Sequence, residues 1–297
     1  MQTLYTVDTH ENTLNPGSAQ KILASHFEQT RSLLVYLTYY LIQVARFAEK
    51  DSHQRASKHL PSYEDLHVNT KISGNSVIWK FLEEESFKKA LQAIKPEQWL
   101  EEELVRKAYG KLAETDVYKK YITEEGRDAR SEKEILEYIL EHGMLEEEAF
   151  VAHVEENFSN WTDDGEMVIQ ILDGTLKKPG AVSYNEIVSG DKLNFAKSLL
   201  NTVLDKNNYL LELIVPKLKN WDPERIALLD MILLKMGVAE FLYFETIPPK
   251  VTINEYIDLA KEYSTPQSGQ FVNGILDNIH KELLQEGRMN KVDFKKA

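Results

Sequence analysis

The sequence predicts an all-α protein, and three observations carry that prediction. Apolar residues recur with a 3.6-residue period along nearly the whole chain, while strict alternation is rare. The breaks fall at Pro, Gly and capping residues, which punctuate helices rather than strands. A helix–Trp–helix unit occurs three times, centred on Trp99, Trp161 and Trp221.

The elements follow in order. Residues 22–50 form a long helix with Ile22, Leu23, Phe27, Leu34, Leu37, Leu41, Val44 and Ala48 on one broad face. Its apolar run, 33–45, is 13 residues long and contains Thr38 and Gln43, too short to span a membrane, which needs roughly 20 apolar residues. Leu60-Pro61-Ser62 ends that region. A helix over 76–93 runs to Lys95-Pro96, and others follow at 100–113, 116–122, 132–142 and 146–158. Ser131 and Glu134 have the spacing of a capping box, and Gly143 stands where a left-handed C-terminal residue is expected.

Further helices are predicted at 164–176, 191–205 and 207–219. Asp222-Pro223 is a helix start, a capping acid followed by Pro at the first helical position. That helix is expected to stop at Gly237, with a short segment over 238–244 leading to Ile247-Pro248-Pro249. Thr252 and Glu255 form a second capping box that opens a helix over 253–263. Thr265-Pro266 opens the last helix, closed by Gly287. Residues 288–297 read as a polar, frayed tail.

The 297 residues allow one large or two ordinary domains, at ~150 residues each. Apolar residues make up 42%, which is enough for a core. The net charge is −13, and residues 101–200 hold 23 acids against 12 bases. An acidic surface repels phosphate, so a nucleic-acid contact belongs in the outer thirds. The absence of cysteine excludes disulfides, thiolate zinc sites and a Cys nucleophile. Gly-rich phosphate loops, His-Glu-x-x-His and Gly-x-Ser-x-Gly are missing, and the eight histidines lack ligand spacing. The chain therefore reads as a non-enzyme without cofactor or metal, soluble and cytoplasmic, with no secretory leader.

The Trp spacings of 62 and 60 residues suggest stacked helical hairpins, with each Trp plugging a joint.

The last third of the chain carries a resemblance. The blocks Trp221-Asp222-Pro223-Glu224-Arg225, running on to Asp230, and Ile247-Pro248-Pro249-Lys250-Val251-Thr252-Ile253-Asn254-Glu255 resemble the bacterial transcription antitermination family NusB. The closing Ser268-Gly269-Gln270-Phe271-Val272-Asn273-Gly274-Ile275-Leu276-Asp277 looks like that family's most specific signature. Gln2-Thr3-Leu4-Tyr5 is similar to a segment of its first helix. The likeness is clear over about 185–290.

The resemblance implies an all-helical, non-catalytic factor built from helical bundle subdomains. It would pair with the ribosomal protein NusE, bind boxA-type RNA and help the RNA polymerase elongation complex read through ribosomal RNA operons. The implied layout is an N-terminal subdomain at 1–60, inserted acidic helical-hairpin repeats at 61–184, a NusB-like subdomain at 185–287 and a tail at 288–297. Phe271 matches an aromatic of the RNA surface, where a ring stacks on an unpaired base; a core position in the last helix is the alternative. Gln267, Ser268 and Gln270 offer polar RNA contacts in the same turn. Asn273 matches a signature amide that either reads RNA or braces helices. Tyr5 and Asp230 match positions at the NusE interface, and an exposed helix acid is the alternative for Asp230. Glu255 matches too, but its capping box accounts for it. The family places an Arg-rich stretch before the segment that Gln2–Tyr5 resembles; in this sequence the first base is Lys21, so the first helix is expected to be short. A helical interaction scaffold that does not bind RNA is the competing reading, and an accessory domain of an RNA-modifying enzyme is a third.

Overall fold

The computed structural model describes residues 1–10, 17–218 and 226–292. Trp221, the Asp222-Pro223 start and the end of the tail lie outside the described residues. Among the described residues every regular element is helical and no strand occurs. The chain forms two compact units. One comprises Met1–Ser25 with Ser189–Ala297, and the other His26–Val188. The chain thus leaves the first unit within its second helix and returns to it at residue 189. By sequence the second unit holds 31 acids and 20 bases, and the first 17 acids and 15 bases. The acidic excess therefore belongs to the second unit.

The second unit is organised around α2 (Ser18–Ala56). From Leu33 to Ala45 all residues but Tyr39 and Gln43 are buried, so the longest apolar run is a core helix enclosed on all sides. Tyr36 and Tyr40 anchor an aromatic cluster. The ring of Phe150 lies 4.2 Å from Tyr40, and those of Phe158 and Trp99 lie 5.1 and 6.2 Å from Tyr36. Trp99 and Trp161 are half-buried against this core, so both act through ring packing. His153 shares a 2.8 Å hydrogen bond with the Trp99 carbonyl, which ties α9 (Glu148–Asn157) to the turn at Trp99.

Three predicted features differ here. The helix expected over 76–93 is two, α4 (Ser76–Glu83) and α5 (Glu85–Ile94). Glu84 adopts extended backbone, and its carboxylate accepts from the Ser86 and Phe87 amides, capping α5. The capping box at Ser131 and Glu134 does not form. Asp128 caps α8 (Ala129–Tyr138) instead, accepting from the Arg130 and Ser131 amides, and Ser131 lies one turn inside. Gly143 is not left-handed; it sits in a π-helical turn, Ile139–Leu145, that continues α8. Glu132 is fully buried where α4, α7 (Asp116–Thr123) and α8 meet. It accepts from Tyr121 Oη at 2.6 Å, Arg127 Nη1 at 3.0 Å and the Ser76 amide.

The first unit comprises α1 (Gln2–Thr9), the start of α2, α11 (Gly190–Asp205), α12 (Asn207–Ile214), α13 (Leu228–Tyr243), α14 (Pro249–Tyr263) and α15 (Ser268–Gln285). Gly237 does not end α13, which runs six residues further and absorbs the segment expected at 238–244. A Cβ at Gly237 would stand 2.8 Å from Leu276 Cδ2, so the glycine serves the close approach of α13 and α15 rather than a stop. The Thr252–Glu255 box is also replaced. The α14 helix starts at Pro249, one turn earlier, and Thr252 Oγ1 donates at 2.9 Å to the buried Glu240 of α13. Tyr256 Oη donates to the other Glu240 oxygen at 2.6 Å. Burial holds the Glu240 carboxyl above the usual range, and these two donors oppose that shift.

Gly287, at φ +65°, closes α15 as expected. Beyond it the described part of the tail is docked, not frayed. Lys291 Nζ donates to the Glu240 and Phe244 carbonyls at 2.7 Å each, and the Val292 amide to the Glu245 carbonyl. The ammonium is a second donor to each carbonyl, beside the Phe244 amide on Glu240 and the Ile247 amide on Phe244.

Candidate nucleic-acid and partner interface

Two helix starts meet in the first unit. Ala227 precedes α13, and the turn 264–267 leads into α15. Asp230 lies in the first turn of α13, where the helix dipole favours an acid. It is 6% exposed, and its Oδ2 accepts from Ser268 Oγ at 2.8 Å. Ser268 Oγ also accepts from the Thr265 amide at 3.2 Å and sits within hydrogen-bond distance of the Ser264 and Thr265 hydroxyls. Asp230 Oδ1 is buried without a partner. The Ser268 hydroxyl therefore joins the first turn of α13 to the first turn of α15.

Beside this joint lies a groove of about 340 Å³ lined by Ile226, Ala227, Asp230, Thr265, Gln267, Ser268 and Phe271. Ile226, Ala227 and Phe271 make much of its wall apolar, and Gln267 and Thr265 place polar groups beside them. Phe271 is half-buried. It packs against the core of the first unit and also lines the groove. An aromatic wall held by a core, beside polar turn residues, is chemically suited to an unpaired base.

Of the residues singled out by sequence, the structure brings Asp230, Gln267, Ser268 and Phe271 to one groove. Gln270 and Asn273 are exposed on α15 and are not part of the lining. Tyr5 is 43% exposed on α1 and also stands outside it. Asp230 is buried rather than an exposed helix acid. Ile226, Ala227 and Thr265 were not singled out for the site, since nothing in their local pattern separates them from ordinary helix and turn residues. Among the described residues no group of three or more His, Cys, Asp or Glu could hold a metal ion, and no helix is long and apolar enough to cross a membrane.

Residues 153–281 match the model of the NusB family. The C-terminal part of the chain is NusB-like. Over 98 residues it is 45% identical to the transcription antitermination protein NusB of Salinibacter ruber, covering 33% of this chain and 61% of that protein. It is 39% identical over 98 residues to the NusB of Chloroherpeton thalassium, covering 33% of this chain and 46% of that protein. It is 43% identical over 83 residues to that of Methylacidiphilum infernorum, covering 28% of this chain and 58% of that protein. The matched stretch thus spans about half to three fifths of these relatives. No solved structure matches the chain. The NusB-like stretch begins inside α9, upstream of residue 185, where the sequence reading begins its NusB-like part. It contains both helix starts of the groove.

Proposed function

We propose that the chain is a non-enzymatic transcription antitermination factor. In this reading it binds boxA-type RNA together with the NusE ribosomal protein and acts on the RNA polymerase elongation complex. The observation that carries it is the NusB-like stretch 153–281, which includes the groove at Phe271. Base stacking on Phe271, with Gln267 and Ser268 beside it and Gln270 and Asn273 along the same helix, is the RNA-facing arrangement we infer. Tyr5 and Asp230 are the protein-facing residues of the same reading, Asp230 acting from a buried position. The helices at 61–184 are read as an acidic insertion within the NusB-type framework.

Fluorescence anisotropy of a labelled boxA-type RNA, titrated with the full chain with and without NusE, tests the proposal. Binding that tightens with NusE is expected, and it should weaken with salt because phosphate contacts release counterions. Retention of NusE with no RNA affinity would leave a helical protein-interaction scaffold, a reading favoured by the acid-rich second unit. Loss of both would end the proposal.

A further inference from the structure

In the second unit the chain leaves α2 through a loop that shows large apolar side chains to solvent. Leu60 is 87% exposed, Tyr63 77% and Leu66 55%. The backbone beneath them is fixed. Ser62 and Asp65 form a reciprocal capping box around α3 (Tyr63–Leu66), and the Asp65 carboxylate also takes a 2.7 Å ion pair from Lys58. The Tyr63 ring stacks on His67 at 4.0 Å. Large apolar residues held in one conformation and left in water mark a contact surface. The loop is ordered before any partner arrives, so little further ordering opposes binding.

Along the last turns of α2, on the same unit, runs a groove of about 650 Å³. Buried Phe47 and Val105 make its floor, with half-buried Leu100 beside them. Arg46, Lys50 and His53 follow one another at helical spacing along its α2 side. Lys50 is ion-paired at 2.6 Å with Glu102, at the start of α6 (Glu102–Glu114). Arg46 is exposed, and among the described residues nothing hydrogen-bonds or ion-pairs with its guanidinium.

The chemistry of the groove selects its occupant. The floor takes apolar side chains, and the unpaired guanidinium takes a carboxylate. A polyanion is disfavoured, because the unit holds 31 acids against 20 bases. A short polypeptide segment with large apolar side chains and a carboxylate beside them fits. The loop of this chain is such a segment. Glu64 adjoins Tyr63, is exposed, and its carboxylate has no partner among the described residues. Within one chain the loop stands in water, so only another copy's loop can fill the groove.

We propose that two copies of this chain pair through their second units, each seating Leu60, Tyr63 and Leu66 in the groove of the other. Glu64 of each copy meets Arg46 of the other, and the Tyr63 ring lies against the floor of Phe47, Leu100 and Val105. Loop and groove both lie at the end of α2. An antiparallel pairing of the two helix ends about a twofold axis makes the two contacts equivalent and closes the dimer. The inference goes beyond the proposed function and does not depend on RNA or NusE binding.

Sedimentation velocity of the full chain over a range of concentrations tests it. A reversible monomer–dimer equilibrium is expected, with a dissociation constant on the order of 1–100 μM. Leu60→Ser combined with Tyr63→Ser changes only exposed positions, so the melting temperature should change little while dimer affinity falls about tenfold or more. Arg46→Glu and Glu64→Arg should each weaken the dimer about tenfold or more, and the two together should restore it to within about threefold of wild type. A chain that stays monomeric, a dimer indifferent to the loop variant, or charge variants whose combination does not recover would each overturn the proposal. If the chain stays monomeric and the loop variant loses NusE retention instead, the loop serves a different protein. If Arg46→Glu loses RNA affinity instead, the groove serves a polyanion. Either result also overturns the pairing of two copies.

Discussion

Ser268→Ala removes the hydroxyl that joins the starts of α13 and α15. The Asp230 carboxylate is buried and accepts on Oδ2 from Ser268 Oγ, while Oδ1 has no partner. After the substitution both oxygens are unpaired. A hydrogen bond to a carboxylate is worth about 1.5–3 kcal/mol, and the Thr265 amide, which donates to Ser268 Oγ, loses about 0.5–1 kcal/mol more. The expected loss is therefore about 2–4 kcal/mol of the first unit's stability. For a unit of this size each kcal/mol lowers the melting temperature by about 3–5 °C, so a fall of about 6–20 °C is expected by differential scanning calorimetry. A double-mutant cycle with Asp230→Ala isolates the bond. The two changes should be non-additive by about 1.5–3 kcal/mol, because removing the acid leaves the Ser268 hydroxyl its Ser264 and Thr265 neighbours. A Ser268→Ala protein within about 0.5 kcal/mol of wild type, or a cycle that closes additively, would refute the claim that this hydroxyl locks the two helix starts.

Three other outcomes are expected. Phe271→Ala should weaken boxA-type RNA binding by about 1–3 kcal/mol, read by anisotropy, if the ring stacks on a base; unchanged affinity in the folded variant would assign the ring to packing alone. Glu132→Ala should cost the second unit about 3–5 kcal/mol by calorimetry, because the buried carboxylate ties together Tyr121, Arg127 and the Ser76 amide. Partial exposure of Arg127 places the value toward the low end, and a loss below about 1 kcal/mol would contradict the network. The last outcome concerns pH. Burial raises the Glu240 carboxyl above its ordinary 4.5, so the folded state binds its proton more tightly than the unfolded state. Stability from this group is greatest below pH 4.5 and falls as pH rises through the raised folded value. Glu240→Gln should flatten that decline in urea titrations across the acid range, and an unchanged pH slope would show that the group does not set it.

Much of the fold was legible because helix periodicity is a property of short windows. The long second helix, the breaks at Pro61 and Pro96 and the Gly287 stop all follow from local rules. The errors arose where two local rules competed. Ser131 and Glu134 satisfied the capping pattern, but Asp128 reached the free amides first, and the chain turned there. Thr252 had the same credentials and was drawn instead to the buried Glu240 carboxylate. Glu84 lies inside the helix expected over 76–93, yet α4 ends there and its carboxylate caps α5. The tail looked polar because Lys291 is polar, but its ammonium is spent on the carbonyls at the end of α13.

For the candidate site, the residues 268–277 were legible as a pattern, and so were Tyr5 and Asp230. Their grouping was not. Asp230 and Ser268 are 38 residues apart, and nothing local says that their side chains meet.

By itself the sequence determined that this chain is helical, where most helices begin and end, that its acidic excess lies away from its C-terminal third, and which blocks resemble NusB. Those are sums over neighbouring residues, and hydrophobic period, capping chemistry and charge count all act at that range. Only the tertiary structure decided which helix starts converge, that Gly237 serves contact rather than termination, that Asp230 is buried, and that Phe271 stands at once against the core and along a groove. Each of those depends on which distant side chain fills the space beside a residue, and packing is settled by the whole unit at once.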